Sequence, residues 1–144
     1  MNVSKAKQTS ESIELGVLLA ISGGMMDAYS YMARGKVFAN AQTGNMLLFG
    51  VYLSQGEFAK AMHYFCPIIA FTIGIAMADL VRMTGNKKLH WRQLSVLLEA
   101  IILFAVGFIP MNMNLLANSL TSLACGIQVE SFRKIHGNGI ATTM

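Results

Sequence analysis

Charge is scarce in this sequence. Of its 144 residues only 12% are Asp, Glu, Lys or Arg, about half the roughly 25% of an ordinary soluble domain. A soluble domain this short has too little interior to hide a 54% hydrophobic complement, so the shortage excludes that class. Cysteine is scarcer still. Cys66 and Cys125 stand far apart inside apolar runs and form no CxxC pair, which excludes a disulfide framework and reads as two free thiols. Zinc-like spacing of His, Cys, Asp and Glu is missing, as are the Walker and dinucleotide glycine motifs, so neither a metal nor a cofactor is expected. His63, His90 and His136 fall in loops or at helix ends without triad spacing, and the expectation is a protein that is not an enzyme. The formal charge is +4, yet the cations sit in short clusters with no basic face and no interleaved aromatics. Nucleic acid is therefore excluded as a partner.

What remains is apolar and helical. The mean hydropathy is +0.51, and eleven Met, eight Phe and thirteen Gly suit spanning helices and their contacts. The expected fold is an all-α membrane protein with about five apolar segments, near 13–32, 37–53, 61–83, 94–110 and 115–132. Residues 1–12 form a polar tail, 13–132 a membrane helical domain and 133–144 a basic, polar end. The first apolar run is longer than a signal-peptide core and lacks an A-x-A site, so it is expected to be retained.

The stretch GKVFANAQTGNMLLFG (residues 35–50) carries Asn40, Gln42, Thr43 and Asn45 within six residues. Lipid offers such a segment no hydrogen-bond partner, so it must hide in protein or line a water-filled cavity. It is the candidate polar site, together with Asp27, Glu99 and Gln128. Gly44 in its middle suits a break, because glycine adopts backbone angles that other residues avoid. The segment reads equally as a loop, a broken helix or a re-entrant hairpin, and 37–53 is just long enough to span.

Small residues recur every fourth position at Gly16, Ala20, Gly24 and Ala28, and again at Ala70, Gly74 and Ala78. Such stripes let helices approach closely and also allow a homo-oligomer. Asp27 is the one charge within the first run after Glu14 and has two readings, a hydrogen-bonded carboxyl near the helix end or a protonatable, cation-binding group. Asp79 stands three residues before Arg82, the spacing of a local ion pair. Glu99 has no cation three or four residues away. Asn114, Asn118, Ser122, Gly126 and Glu130 make a polar face that must meet another helix or water. Trp91 fits an interfacial anchor, and the loop with Arg82, Lys87, Lys88 and Arg92 is cytoplasmic by the positive-inside rule. If 37–53 spans, the N-terminus is outside; if it is re-entrant, the N-terminus is inside. Both arrangements put eight of the eleven Lys and Arg inside, so charge does not choose between them.

Shifted by 102 residues, Gly24, Gly35 and Ala39 fall on Gly126, Gly137 and Ala141, hinting at the internal repeats of transporters. The pattern Gly24, Asp27 and Ala28, then Val37, Phe38, Asn40, Thr43, Gly44 and Asn45, resembles the signature of the YoaK family, with support from Glu99 and from Gly126 to Gln128. The resemblance implies a multi-pass protein of the bacterial inner membrane with no established activity. It also implies that the family's C-terminal part, a second TGN-like motif and a further span, is cut short here. Three functions are carried forward: a permease- or transporter-like protein for a small polar solute or ion, a non-transporting scaffold or subunit in the lipid bilayer, and a non-functional truncated remnant.

Overall fold

A computed structural model describes residues 12–84, 90–135 and 138–139. Five helices follow one another: α1 (Ile13–Ala33), α2 (Gln42–Ser54), α3 (Phe58–Thr84), α4 (Trp91–Val106) and α5 (Asn114–Phe132). A two-residue pairing closes the described chain, with β1 (Lys134–Ile135) antiparallel to β2 (Asn138–Gly139). The polar tail, the loop with Lys87 and Lys88, His136, and the repeat positions Gly137 and Ala141 lie outside the described residues.

Local chemistry sets the helix ends. Ser12 Oγ accepts from the Leu15 N–H at 3.1 Å, satisfying one of the donors that a helix start leaves open. His90 does the same for α4, accepting from the Arg92 N–H at 3.4 Å while Gln93 returns a bond to the His90 N–H. After α1 the chain reverses through Gly35 at φ +92° and Lys36 at φ +68°, both left-handed. The break therefore falls at these two residues rather than at Gly44, which is helical in α2. Gly44 is required for space: a Cβ there would stand 2.8 Å from the Phe38 ring.

The bundle is organised around α5, which is buried on most of its sides. Its tightest partner is α3. A Cβ on Gly74 would collide with the Leu123 carbonyl oxygen, and one on Gly126 with the Phe71 carbonyl oxygen. The two glycines thus let the backbones touch reciprocally, where dispersion rather than water drives association. Ala70 and Ala78 are buried on the same face of α3. The α1 stripe behaves differently. Gly16 is buried, but Ala20, Gly24 and Ala28 face outward, and nothing lies within 4 Å of a Cβ on Gly24. Within this chain α1 packs instead through Gly16, Leu19, Gly23, Met26 and Ser30. That row advances by three and four residues and so stays on one face, whereas a strict four-residue step drifts around the helix.

The distribution of polarity is inverted relative to a soluble domain. Asn45, Asn118 and Ser122 are fully buried, while Ile13, Leu18, Met25, Met32, Leu80 and Phe104 are more than 60% exposed. An apolar exterior of this extent marks an interaction surface, and lipid is one such partner. Among the described residues one helix, Phe58–Met83, is long and apolar enough to cross a membrane by length and composition. The α1 and α5 runs are diluted by polar residues, and α4 has 16 residues.

Candidate functional site

The polar stretch enters and leaves the bundle at the same end. Gly35 lies against the first turns of α3 and α5, its carbonyl 3.1 Å from His63 Nε2 and a Cβ on it 3.8 Å from Asn114 Nδ2. Ser54, at the other end of α2, is four residues before the start of α3. Between them the chain dips to the level of Asp27, whose Oδ1 accepts the Asn40 N–H at 2.6 Å and the Ala41 N–H at 3.4 Å. Asp27 stands seven residues before Arg34 on the same helical path, so the dip is about 10 Å deep at the α-helical rise. The 13 residues of α2 make a helix about 20 Å long, short of the ~30 Å of a hydrocarbon core. The segment is re-entrant in the bundle.

Asp27 is consequently a cap for this turn. Its carboxylate sits at the start of α2, which has no side-chain cap of its own, and a negative charge there is favoured by the helix dipole. Tyr31, one turn after Asp27, stacks on Phe38 with ring centroids 5.0 Å apart.

Asn45 locks the dip from the other side. Its Oδ1 accepts the Phe38 N–H at 3.0 Å, and its Nδ2 donates to the Phe38 carbonyl at 2.6 Å and to Gln42 Oε1 at 2.9 Å. The amide thus substitutes for the backbone partners that an irregular loop lacks inside a bundle. Gln42 Nε2 donates to the Ala39 carbonyl at 2.7 Å and reaches Ser122 Oγ of α5 at 3.5 Å. Val37 and Ala39 have no exposed surface, and Ala39 packs with Met26 and Cys125.

Asp27, Asn40, Gln42 and Asn45 are therefore brought into one network. Thr43 is not: it is exposed, because a helix beginning at Gln42 turns Gln42 and Asn45 inward and the residue after Gln42 away. Gln128 lies at another level, donating to the Leu19 carbonyl at 2.9 Å. Glu99 is 6% exposed and forms no hydrogen bond or ion pair among the described residues. Cys125 Sγ lies 3.5 Å from Met26 Sδ. Asp79 and Arg82 do not pair; Arg82 turns to the Trp91 ring, 5.9 Å from its centroid. Arg34 joins the site although nothing in its sequence neighbourhood singles it out. It is 2% exposed, and Asn118 Nδ2 donates to its carbonyl at 2.7 Å.

Hydrogen-bonding capacity is left over beside the turn. Ser30 Oγ, Asn114 Oδ1 and Asn118 Oδ1 are buried and have no partner among the described residues. A protein interior rarely tolerates such atoms without a role for them.

Comparison with known proteins agrees with the resemblance. The family described as "Protein of unknown function (DUF1275)" matches residues 15–144, and the chain belongs to it. The chain is 27% identical to "UPF0700 transmembrane protein YoaK" of Bacillus subtilis (strain 168), over 88% of this chain and 59% of that protein. It thus spans about three-fifths of the length of this curated relative. No solved structure matches. The protein is a helical membrane protein of the YoaK family.

Proposed function

We propose that this family member is a multi-pass protein of the bacterial cytoplasmic membrane that passes a small polar solute or ion along the seam between α2 and α5. The observation that carries the reading is a half-helix whose N-terminus meets Asp27 about 10 Å inside the bundle, with buried polar atoms that have no partner among the described residues lying between that level and the Gly35 end. Discontinuous helices of this kind are how many carriers present backbone dipoles to a solute near mid-membrane. The side chains of Asp27, Gln42, Asn45 and Ser122 offer oxygens and amides, a chemistry for uncharged polar or cationic solutes.

The re-entrant geometry favours four spanning helices, α1, α3, α4 and α5, with the N-terminus inside by the positive-inside rule. The reading is of a translocating protein rather than an enzyme, since His63 is engaged with Gly35 and His90 with the start of α4. The test is flux of amino acids, monovalent cations and protons in proteoliposomes. Asp27→Asn and Asn45→Ala, each shown to remain monodisperse, should cut any detected flux at least tenfold. Unchanged flux in both sinks the site assignment.

A scaffold role is the second reading, favoured by the outward face of Ala20, Gly24 and Ala28 on α1. It is distinguished by a Gly24→Leu variant that loses cross-linked oligomers while flux is absent from wild type as well.

A further inference from the structure

One buried cation has no counter-charge among the described residues: Arg34, whose guanidinium lies 5.4 Å from the centroid of the Tyr29 ring. Arg34 follows α1, and its side chain is folded into the protein at 2% exposure. Its Nε donates to Tyr29 Oη at 2.6 Å, Nη1 to the Pro110 carbonyl at 3.0 Å and Nη2 to the Ile109 carbonyl at 2.7 Å. A guanidinium has five N–H donors; three are used, and two have no acceptor among the described residues. None of these partners is anionic, and no carboxylate pairs with Arg34 among the described residues. A buried cation without a counter-charge is costly, more so in a membrane protein, where ionisable groups pair with one another or with a ligand.

The same guanidinium lines a cleft of about 570 Å³ between α1 and α4. The two helices barely touch, and the floor is Thr121 of α5. Ile21, Met25, Tyr29, Leu103 and Gly107 make the walls. The cleft opens sideways, since Ile21 is 55% and Met25 67% exposed. From Leu18 to Tyr29 its α1 wall runs about 16 Å at the helical rise, much of the length of an acyl chain. Arg34 stands at the level where α1 and α4 end and α5 begins, which the proposed spanning arrangement puts near the lipid headgroups.

We propose that the α1–α4 cleft binds an anionic phospholipid from the surrounding bilayer, with its phosphate on the two unused N–H groups of Arg34 and one acyl chain lying against Ile21 and Met25. Arginine presents a planar fork suited to phosphate oxygens, and an apolar trough ending on it matches the chemistry of one molecule. A zwitterionic lipid would bring its own cation to a site that already holds one. This site adjoins the re-entrant turn at Arg34; it rests on the proposed spanning arrangement of α1 and α4 but not on transport.

Native mass spectrometry of the detergent-solubilised protein, titrated with phosphatidylglycerol, phosphatidylcholine or palmitate, tests it. Phosphatidylglycerol should bind at least fivefold more tightly than phosphatidylcholine. Met25→Trp, which fills the mouth of the cleft from an exposed position, should reduce that binding at least fivefold. Arg34→Gln should bring the two phospholipids to equal affinity, and Arg34→Lys should retain part of the preference. If Arg34→Gln fails to remain monodisperse, the headgroup comparison on wild type and the Met25→Trp variant decide the matter. Equal binding of the two phospholipids by wild type overturns the proposal, as does tighter binding of palmitate or full binding by Met25→Trp.

Discussion

Asn45 shows how much of the site depends on one side chain. It has no exposed surface and makes three hydrogen bonds that tie Phe38 to Gln42 across the dip. Asn45→Ala leaves the Phe38 N–H and carbonyl without these partners inside the bundle, at about 1–3 kcal/mol for each group left unsatisfied. We expect a loss of about 2–4 kcal/mol, read as a lower midpoint in thermal unfolding in detergent. Asp27→Asn keeps an acceptor for the Asn40 and Ala41 N–H groups and loses only the charge at the start of α2. Its expected cost is smaller, about 0.5–2 kcal/mol, so a stability loss equal to that of Asn45→Ala would contradict the capping role. The cluster of polar residues at 40–45 was legible in sequence because four uncharged polar side chains in six residues cannot be left to lipid. Which of them point inward was not, because that depends on where the helix begins. A start at Gln42 excludes Thr43, and a start two residues earlier would change the set.

At the scale of helices, the small-residue stripes separate into two kinds. Gly74 and Gly126 sit where backbones touch, and any Cβ meets a carbonyl oxygen that cannot yield without moving a helix. Gly74→Ala and Gly126→Ala should each destabilise by about 1–3 kcal/mol or more through overpacking. Gly24→Ala meets nothing and should be neutral or stabilising by up to about 1 kcal/mol from helix propensity. Thermal unfolding of the three variants checks the contrast, and a Gly24→Ala loss as large as that of Gly74→Ala would show that α1 packs otherwise. Both stripes have the same four-residue spacing, so sequence could not rank them. The difference lies in the partner: α3 has a glycine opposite its own on α5, whereas the Ala20, Gly24 and Ala28 face of α1 has no helix of this chain against it.

For the molecule as a whole, the proposed multi-pass reading combined with the dip of α2 favours one of two topologies that charge leaves balanced. With α2 entering and leaving at one end, Arg34, Lys36 and Lys60 lie on the opposite side from Arg82, Arg92 and Arg133. The prediction is made for a background with Cys66→Ser and Cys125→Ser. There, cysteine placed at Lys36 or at Ser54 is labelled by an impermeant maleimide from outside intact cells, and cysteine at Ser12 is labelled only after permeabilisation. Labelling of positions 36 and 54 from opposite sides would mean that the segment crosses, and would move Asp27 toward the cytoplasmic half. Hydrogen exchange offers a second check: α3 and α5 should be the most protected elements and α1, packed along one narrow face, should open first.

Sequence alone determined the class. So few charges among so many apolar residues leave a membrane protein as the consistent reading, and the order of polar and small residues around Asp27 and Asn45 was specific enough to mark the family. These are properties of composition and spacing, which survive any arrangement of the helices. Tertiary structure decided the rest: that 35–54 dips into the bundle and returns to the same end, that Asp27 caps it, and that Arg34 is buried beside an apolar cleft. Each depends on which groups from distant parts of the chain meet. Spacing along one helix cannot say that a carboxylate on α1 will find the backbone N–H groups at the start of α2, or that α4 will leave room beside α1. The polar stretch posed the need for internal partners, and the packing of α1, α3 and α5 supplied them.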